Sequence, residues 1–420
     1  MAKFDHTLRD NFEYLGEWWL PQEPSRRFGG RLSYVPTEGA TLSLIGSFIE
    51  SPQVDTFQVD LVHGFTVEGH ACTLWRGFGL RWNDHSPGIA NQSIRFELLL
   101  VGHHFATEDA IAFTHYQVVY AGLDEWLGQY PISSKLGSRD DIMSFAAEYN
   151  PPDIQQYELP ERNGTLHFEY NATSEFGRLY VSIRSEPVLR FAPLNACSYE
   201  WYRKTFLDFE RFLILMMGHV TSPQRISASI SEEEPMVGIY PQVRLQARDD
   251  VARHVMMLTQ PMLVSQLPTL LPQWCQIADQ LRPVMDIFFG TLYQANMYLQ
   301  IKFLALMQSI EGFHRATRTG NFKLRKRLDD LFDSLSTDLQ ESITSNADTF
   351  FESIVKTRDY YTHYIPKLAS ERLSDRELVG TCSTLRVFMT ILLLKELGFS
   401  DDTALTAIER LRKHLLPRSI

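Results

Sequence analysis

Cysteine is scarce in this chain, and metal-binding spacing is missing: Cys72, Cys197, Cys275 and Cys382 stand too far apart for any C-x-x-C pair. That excludes a zinc site built on such pairs and a dense disulfide framework, and it predicts reduced, buried thiols. No leader is expected either. The first residues, M-A-K-F-D-H-T-L-R-D-N-F-E-Y, carry acids and no apolar stretch, and the longest apolar runs, Phe212 to Met217 and Val387 to Leu394, fall short of the ~20 residues of a membrane helix. The expected location is cytoplasmic, with no membrane partner. The glycines of R-F-G-G-R (27–31) and G-F-G-L (77–80) lack the G-K-[ST] of a phosphate loop and read as hairpin glycines. His103 and His104 are adjacent, so on a strand they point to opposite faces and do not converge as two metal ligands. No metal and no cofactor is expected. Positive charge is also short: 40 Lys+Arg against 51 Asp+Glu give a net charge of −11, which argues against wholesale coating of nucleic acid.

What the 420 residues do contain is ample core material, 44% hydrophobic with 22% charged, enough for two or three globular domains. The charge is unevenly spread. Residues 296–420 hold 18 Lys+Arg and 16 Asp+Glu, net +2, so residues 1–295 hold the remaining 22 and 35, net −13. From about 28 to 190 apolar residues recur with period two between Gly, Asn and Pro breaks, as in S-I-R-F-E-L-L-L-V-G and G-T-L-H-F-E-Y, which predicts an antiparallel sandwich or barrel. Tyr199 to Met217 has helical spacing and Gly218 is its stop; short strands are expected again at Gln224–Ser231 and Val237–Gln246. After Pro268 the pattern becomes helical, with segments near 283–317, 322–335, 347–364, 376–397 and 401–415. The expected fold is thus α+β multidomain: a mostly antiparallel β region with a few helices over 1–292, then an all-α bundle over 293–420.

One position in that bundle is out of place. Along 347–364 the apolar stripe runs through Phe351, Ile354 and Val355 and then meets Arg358, where a Leu would fit. An arginine enters such a stripe when its charge is paired or serves an interface; the same position also suits an arginine snorkelling from the stripe's end. His363 lies about 140° around an ideal helix from Arg358, so the two do not share a face. Pro366 disfavours helical geometry at Ile365, so the helix should end near His363 and free its ring to swing back. A second copy packed about a two-fold axis is another way to bring Arg and His sets together.

R-D-Y-Y-T-H, residues 358–363, fits the R-x4-6-H signature of the HEPN superfamily, in the form with a polar residue after the Arg. The run F-E-Y-L-G-E-W-W-L-P-Q-E-P-S-R-R-F-G-G-R-L-S-Y-V, continuing to residue 48, resembles the opening of the ApeA-type N-terminal domain that precedes a HEPN domain in bacterial anti-phage proteins. The resemblance implies an abortive-infection protein acting as a metal-independent endoribonuclease on an RNA substrate. It further implies assembly as a homodimer or higher homo-oligomer through the HEPN domain, with a phage-derived trigger. Arg358 and His363 would be catalytic. An imidazole, with an unperturbed pKa of ~6.5, can take the proton of a ribose 2′-OH, and a guanidinium fork can hold the phosphoryl oxygens. Asp359 would orient one of them, Thr362 or Tyr364 would bind a phosphate, and Glu311, bordering the packed side of the preceding helix, would either fix Arg358 or stand as a rim carboxylate. The cations of H-R-A-T-R-T-G-N-F-K-L-R-K-R (314–327), above all Lys323, Arg325, Lys326 and Arg327, offer an RNA backbone track or a solvated basic turn. The acidic N-terminal region would sense or restrain. The rival reading is a non-catalytic HEPN module for dimerisation or nucleotide binding.

Overall fold

The computed structural model describes residues 6–49, 57–83, 87–139, 142–231, 233–243, 252–294 and 296–415. It contains two compact units. One comprises residues 1–124, 129–206 and 221–250; the other comprises 125–128, 207–220 and 251–420.

The first unit is a β-barrel with an extension. Its strands are β1 (Phe12–Trp19), β2 (Phe28–Val35), β3 (Gly39–Ile45), β4 (Gln58–Thr66), β5 (Ala71–Asn83) and β6 (Asn91–Val101). Each pairs antiparallel in the order β6-β3-β2-β1-β4-β5, and β5 pairs back onto β6, so the sheet closes on itself. Of the two architectures expected from the period-two pattern, the barrel is the one formed. Inward residues alternate with outward ones: Trp18, Leu32, Tyr34, Leu42, Leu74 and Ile94 fill the interior. Gly64 is obligatory there, because a Cβ would overlap the Trp18 ring. Trp19 faces the other way and is also buried, its ring under the Arg27 guanidinium at 4.3 Å. His104 stacks on His63 at 4.8 Å between ring centres, and among the described residues no group of three or more His, Cys, Asp or Glu is placed to hold a metal ion.

β7 (Ala112–Phe113), β8 (His115–Tyr120), β9 (Ile132–Arg139), β10 (Ile142–Tyr149), β11 (Gln155–Leu159), β12 (Gly164–Phe176), β13 (Val181–Pro193), β14 (Cys197–Ser198), β15 (Pro223–Ser229) and β16 (Val237–Pro241) follow. From β6 the sheet continues through β16, β15, β8, β13, β12 and β11, while β9–β10 and β7–β14 form separate ribbons. Residues 244–246, the end of the expected second short strand, lie outside the described residues. The remaining elements are α1 (Leu123–Leu127), α2 (Tyr199–Met217), α3 (Gln260–Leu263), α4 (Leu267–Gln280), α5 (Arg282–Tyr293), α6 (Leu299–Thr317), α7 (Leu324–Asp333), α8 (Thr337–Ile343), α9 (Ala347–His363), α10 (Asp375–Glu396) and α11 (Asp401–Leu415). Gly218 ends α2 at φ +79, the left-handed geometry that a helix stop favours in glycine.

In the second unit the helices pack around α10, whose Leu385, Phe388, Ile391 and Leu393 are fully buried. By length and composition α10 could cross a membrane, but 67% of its most apolar window is buried inside the protein. The expected helix over 283–317 is in fact two, because Gln294 (ψ 89) and Tyr298 (ψ 133) leave helical geometry; the short α8 was not anticipated. The second half of α2, together with α4 and α5, joins this unit. Asp208 on α2 is buried and accepts both Nη1 (2.6 Å) and Nη2 (2.9 Å) of Arg282 at the start of α5, while its backbone carbonyl accepts Trp274 Nε1 at 2.7 Å. By packing, the helical unit takes in more chain than 293–420.

Candidate active site

α9 starts at Asn346, whose side chain caps the Thr349 amide at 3.1 Å, and it buries Phe351, Ile354 and Thr357. Phe351 packs against Phe332 of α7 and Phe388 of α10, which fixes the helix's rotation. With that face set, Arg358 falls at the rim of the core, its side chain 26% exposed.

The far end is shaped by Pro366. His363 is the last helical residue, Tyr364 turns left-handed (φ +47, ψ +61), and Ile365 is extended. The turn lets the ring reach what the helix alone holds apart: Arg358 Nη1 lies 3.0 Å from His363 Nε2 and 3.0 Å from Asp359 Oδ1. A guanidinium only donates, so Nε2 accepts, and the neutral imidazole carries its hydrogen on Nδ1. Of the two routes expected to bring these residues together, the ring swung back at the helix end is the one seen, within one chain.

Glu311 on α6 stands between two arginines. Its Oε1 takes Arg315 Nη2 at 2.7 Å, and its Oε2 lies 3.9 Å from Arg358 Nη2, beyond hydrogen-bond length. It is half-buried, so it is neither a solvated rim carboxylate nor a sealed partner; it holds Arg358 by charge and Arg315 by hydrogen bond. Arg315 had no assigned pairing in the sequence, although its i+4 spacing from Glu311 signals one. Thr362 and Tyr364 are exposed beside His363.

The loop after α9 folds back along it. Leu373 N donates to Thr357 Oγ1 at 2.9 Å, Lys356 Nζ pairs with Glu371 at 2.7 Å, and Arg372 donates to the Tyr361 hydroxyl at 3.0 Å. Ser374 then opens α10 with a reciprocal capping box to Glu377. Nothing in the local sequence pattern marks Arg372.

The basic track is only partly available. Lys323 and Lys326 are exposed. Arg325 is engaged, Nε to Asp329 at 2.9 Å and Nη2 to Asp348 at 2.7 Å. Arg327 departs from its expected place on a solvent-facing backbone track: it is 2% exposed, and its Nη1 donates to His314 Nδ1 at 3.0 Å, so it cannot touch a phosphate backbone from there. His314 in turn donates from Nε2 to Asp330 at 3.1 Å; burial, then the facing Arg327 charge, holds its pKa below the ordinary imidazole value against the pull of Asp330. The signal was present: Arg327 stands four residues before Leu331, on the buried stripe of α7.

An antiparallel β-barrel region is followed by a helical unit that pairs Arg358 and His363 at one helix end. Residues 13–262 match the model of the ApeA N-terminal domain 1 and residues 304–403 that of the Apea-like HEPN domain. With more than half of its length matched by the first model, the chain belongs to the ApeA family. No curated protein and no solved structure matches it. The family points to anti-phage defence, and HEPN domains are commonly ribonucleases that dimerise and bind RNA.

Proposed function

We propose that this protein is a cytoplasmic, metal-independent endoribonuclease of abortive infection, acting as a homodimer or higher homo-oligomer through its HEPN domain. The observation that carries this reading is the 3.0 Å approach of Arg358 Nη1 to His363 Nε2 at an exposed helix end in an Apea-like HEPN domain. The scissile phosphate draws the Arg358 fork onto its oxygens and frees the Nε2 lone pair. Nε2 takes the proton of the adjacent 2′-OH as that oxygen attacks phosphorus; the bond to the 5′-oxygen breaks, the leaving oxygen takes a proton from water, the imidazolium returns its own to solvent, and a 2′,3′-cyclic phosphate remains. Asp359 holds the Arg358 fork from the side away from substrate, and Glu311 fixes its charge from α6. Thr362, exposed beside His363, binds a phosphate. The β-rich region, which carries the acidic excess, senses a phage-derived trigger or restrains the nuclease. The direct test is incubation of the protein and its His363→Ala variant with total RNA in EDTA: wild type should cleave and the variant should not, whereas equal cleavage would remove the site.

RNA approaches along the cations that are free to meet it. Exchange of both Lys323 and Lys326 for Gln is expected to weaken RNA binding and to lower the slope of log affinity against log salt by about 1.4, at ~0.7 per phosphate contact on a single strand. The same exchange at Arg327 should instead lower the melting temperature. An unchanged salt slope for the double lysine variant would mean that RNA takes another path.

A further inference from the structure

Next to His363 stands a group of rings that acid-base chemistry does not use. Tyr364, the residue after the histidine, is 76% exposed and left-handed, a conformation adopted among the described non-glycine residues only by Arg76, Asn163 and Tyr364. A bulky aromatic in that region is strained, and strain of this kind collects at functional sites. Tyr360, one helical turn before His363 and so its neighbour on the helix surface, lies 6.4 Å from Tyr364 between ring centres and 5.2 Å from Tyr361. Arg372 braces the group: its guanidinium sits 5.5 Å from the centre of Tyr360 and 5.8 Å from that of Tyr361. Leu373 on Thr357 and Glu371 on Lys356 keep that brace in place. Tyr364 is thus supported by a ring on one side and open to solvent for most of its surface.

We propose that Tyr360 and Tyr364, braced by Arg372, form a stacking platform for the unpaired bases beside the scissile phosphate. This rests on the ribonuclease reading of Arg358 and His363. A base can lie on an exposed tyrosine only when it is splayed from a helix, and stacking of this kind tolerates every base because each has a π-face. The platform therefore selects unpaired structure and does not read a sequence.

The test pairs a protein ring with an RNA base. A cut is mapped in a single-stranded oligoribonucleotide, and the nucleotides flanking it are replaced one at a time by abasic residues. In the wild type, loss of the stacked base should lower kcat/KM about 5- to 150-fold, mainly through KM. Tyr364→Ala should lose a similar factor on the intact oligonucleotide and be indifferent to the abasic change, while Tyr364→Phe and Tyr364→Trp behave as wild type. Equal abasic sensitivity in wild type and Tyr364→Ala overturns the proposal. So does a Tyr364→Ala variant whose only change is in oligomeric state, which would make the ring a contact between copies of the chain. A second arm needs no turnover. A 2-aminopurine oligoribonucleotide titrated with His363→Ala protein should be quenched on binding, and the quench should vanish with Tyr364→Ala added. Quenching without cleavage of any RNA by the wild type would leave the platform and remove the nuclease; His363-dependent cleavage with a quench untouched by Tyr364→Ala would do the reverse.

Discussion

In steady-state assays on RNA, Arg358→Ala and His363→Ala are each expected to lower kcat at least about 10²-fold while the melting transition stays in place. The fold should tolerate both changes because His363 is exposed and Arg358 lies at the rim of the core, with the stripe below it closed by Phe351, Ile354 and Thr357. Catalysis should not, since one residue supplies the proton acceptor and the other the fork that stabilises charge on the phosphoryl oxygens. Arg358→Lys should rescue little. An ammonium is a point donor on a flexible stem and cannot keep its hold on Asp359 while presenting a planar pair of N–H groups to phosphate. Cleavage by the Lys variant at wild-type rate would show that charge alone suffices.

Asp208→Ala is expected to destabilise the protein by about 3 kcal/mol, read as a lower denaturation midpoint of the helical unit. Asp208 is buried and holds both terminal nitrogens of Arg282, a guanidinium whose side chain is only 22% exposed. Removing the carboxylate leaves that charge with Asp279 at 3.2 Å as its remaining acid among the pairs seen here. Asp208→Asn, which keeps the volume and one acceptor, should cost less. A change under about 1 kcal/mol for Asp208→Ala would mean that α2 is not tied to α5 by this pair.

The sequence was informative where a period or a stop governs structure. Period two marked the barrel strands, Gly218 ended α2, and Pro366 ended α9 at His363, which is the feature that lets His363 reach Arg358. It was silent where partners come from distant chain. Closure of β5 onto β6 depends on register along two long strands, and nothing local writes it. The ribbon β9–β10, I-S-S-K-L-G-S-R with I-M-S-F-A-A-E-Y, carries too few alternating apolar residues to stand out. The membership of α2's second half in the helical unit draws on pairs distant in sequence, such as Asp208 and Arg282, 74 residues apart. Arg327 misled because a run of cations looks like surface, and only the stripe through Leu331 disclosed that one of them turns inward.

The central claim is that Arg358 and His363 cut RNA through its own 2′-hydroxyl, and the chemistry of the new 3′ end tests it most directly. A defined single-stranded oligoribonucleotide is digested in EDTA and the products are weighed by mass spectrometry, with an otherwise identical oligonucleotide carrying 2′-deoxy at the cut site as control. The account predicts a 2′,3′-cyclic phosphate or its opened phosphate at each new end, no cleavage of the deoxy control and none by His363→Ala. A 3′-hydroxyl end, cleavage of the deoxy control, or strict dependence on added magnesium would contradict it, because the first two need a nucleophile other than the 2′-hydroxyl and the third needs a metal in the reaction.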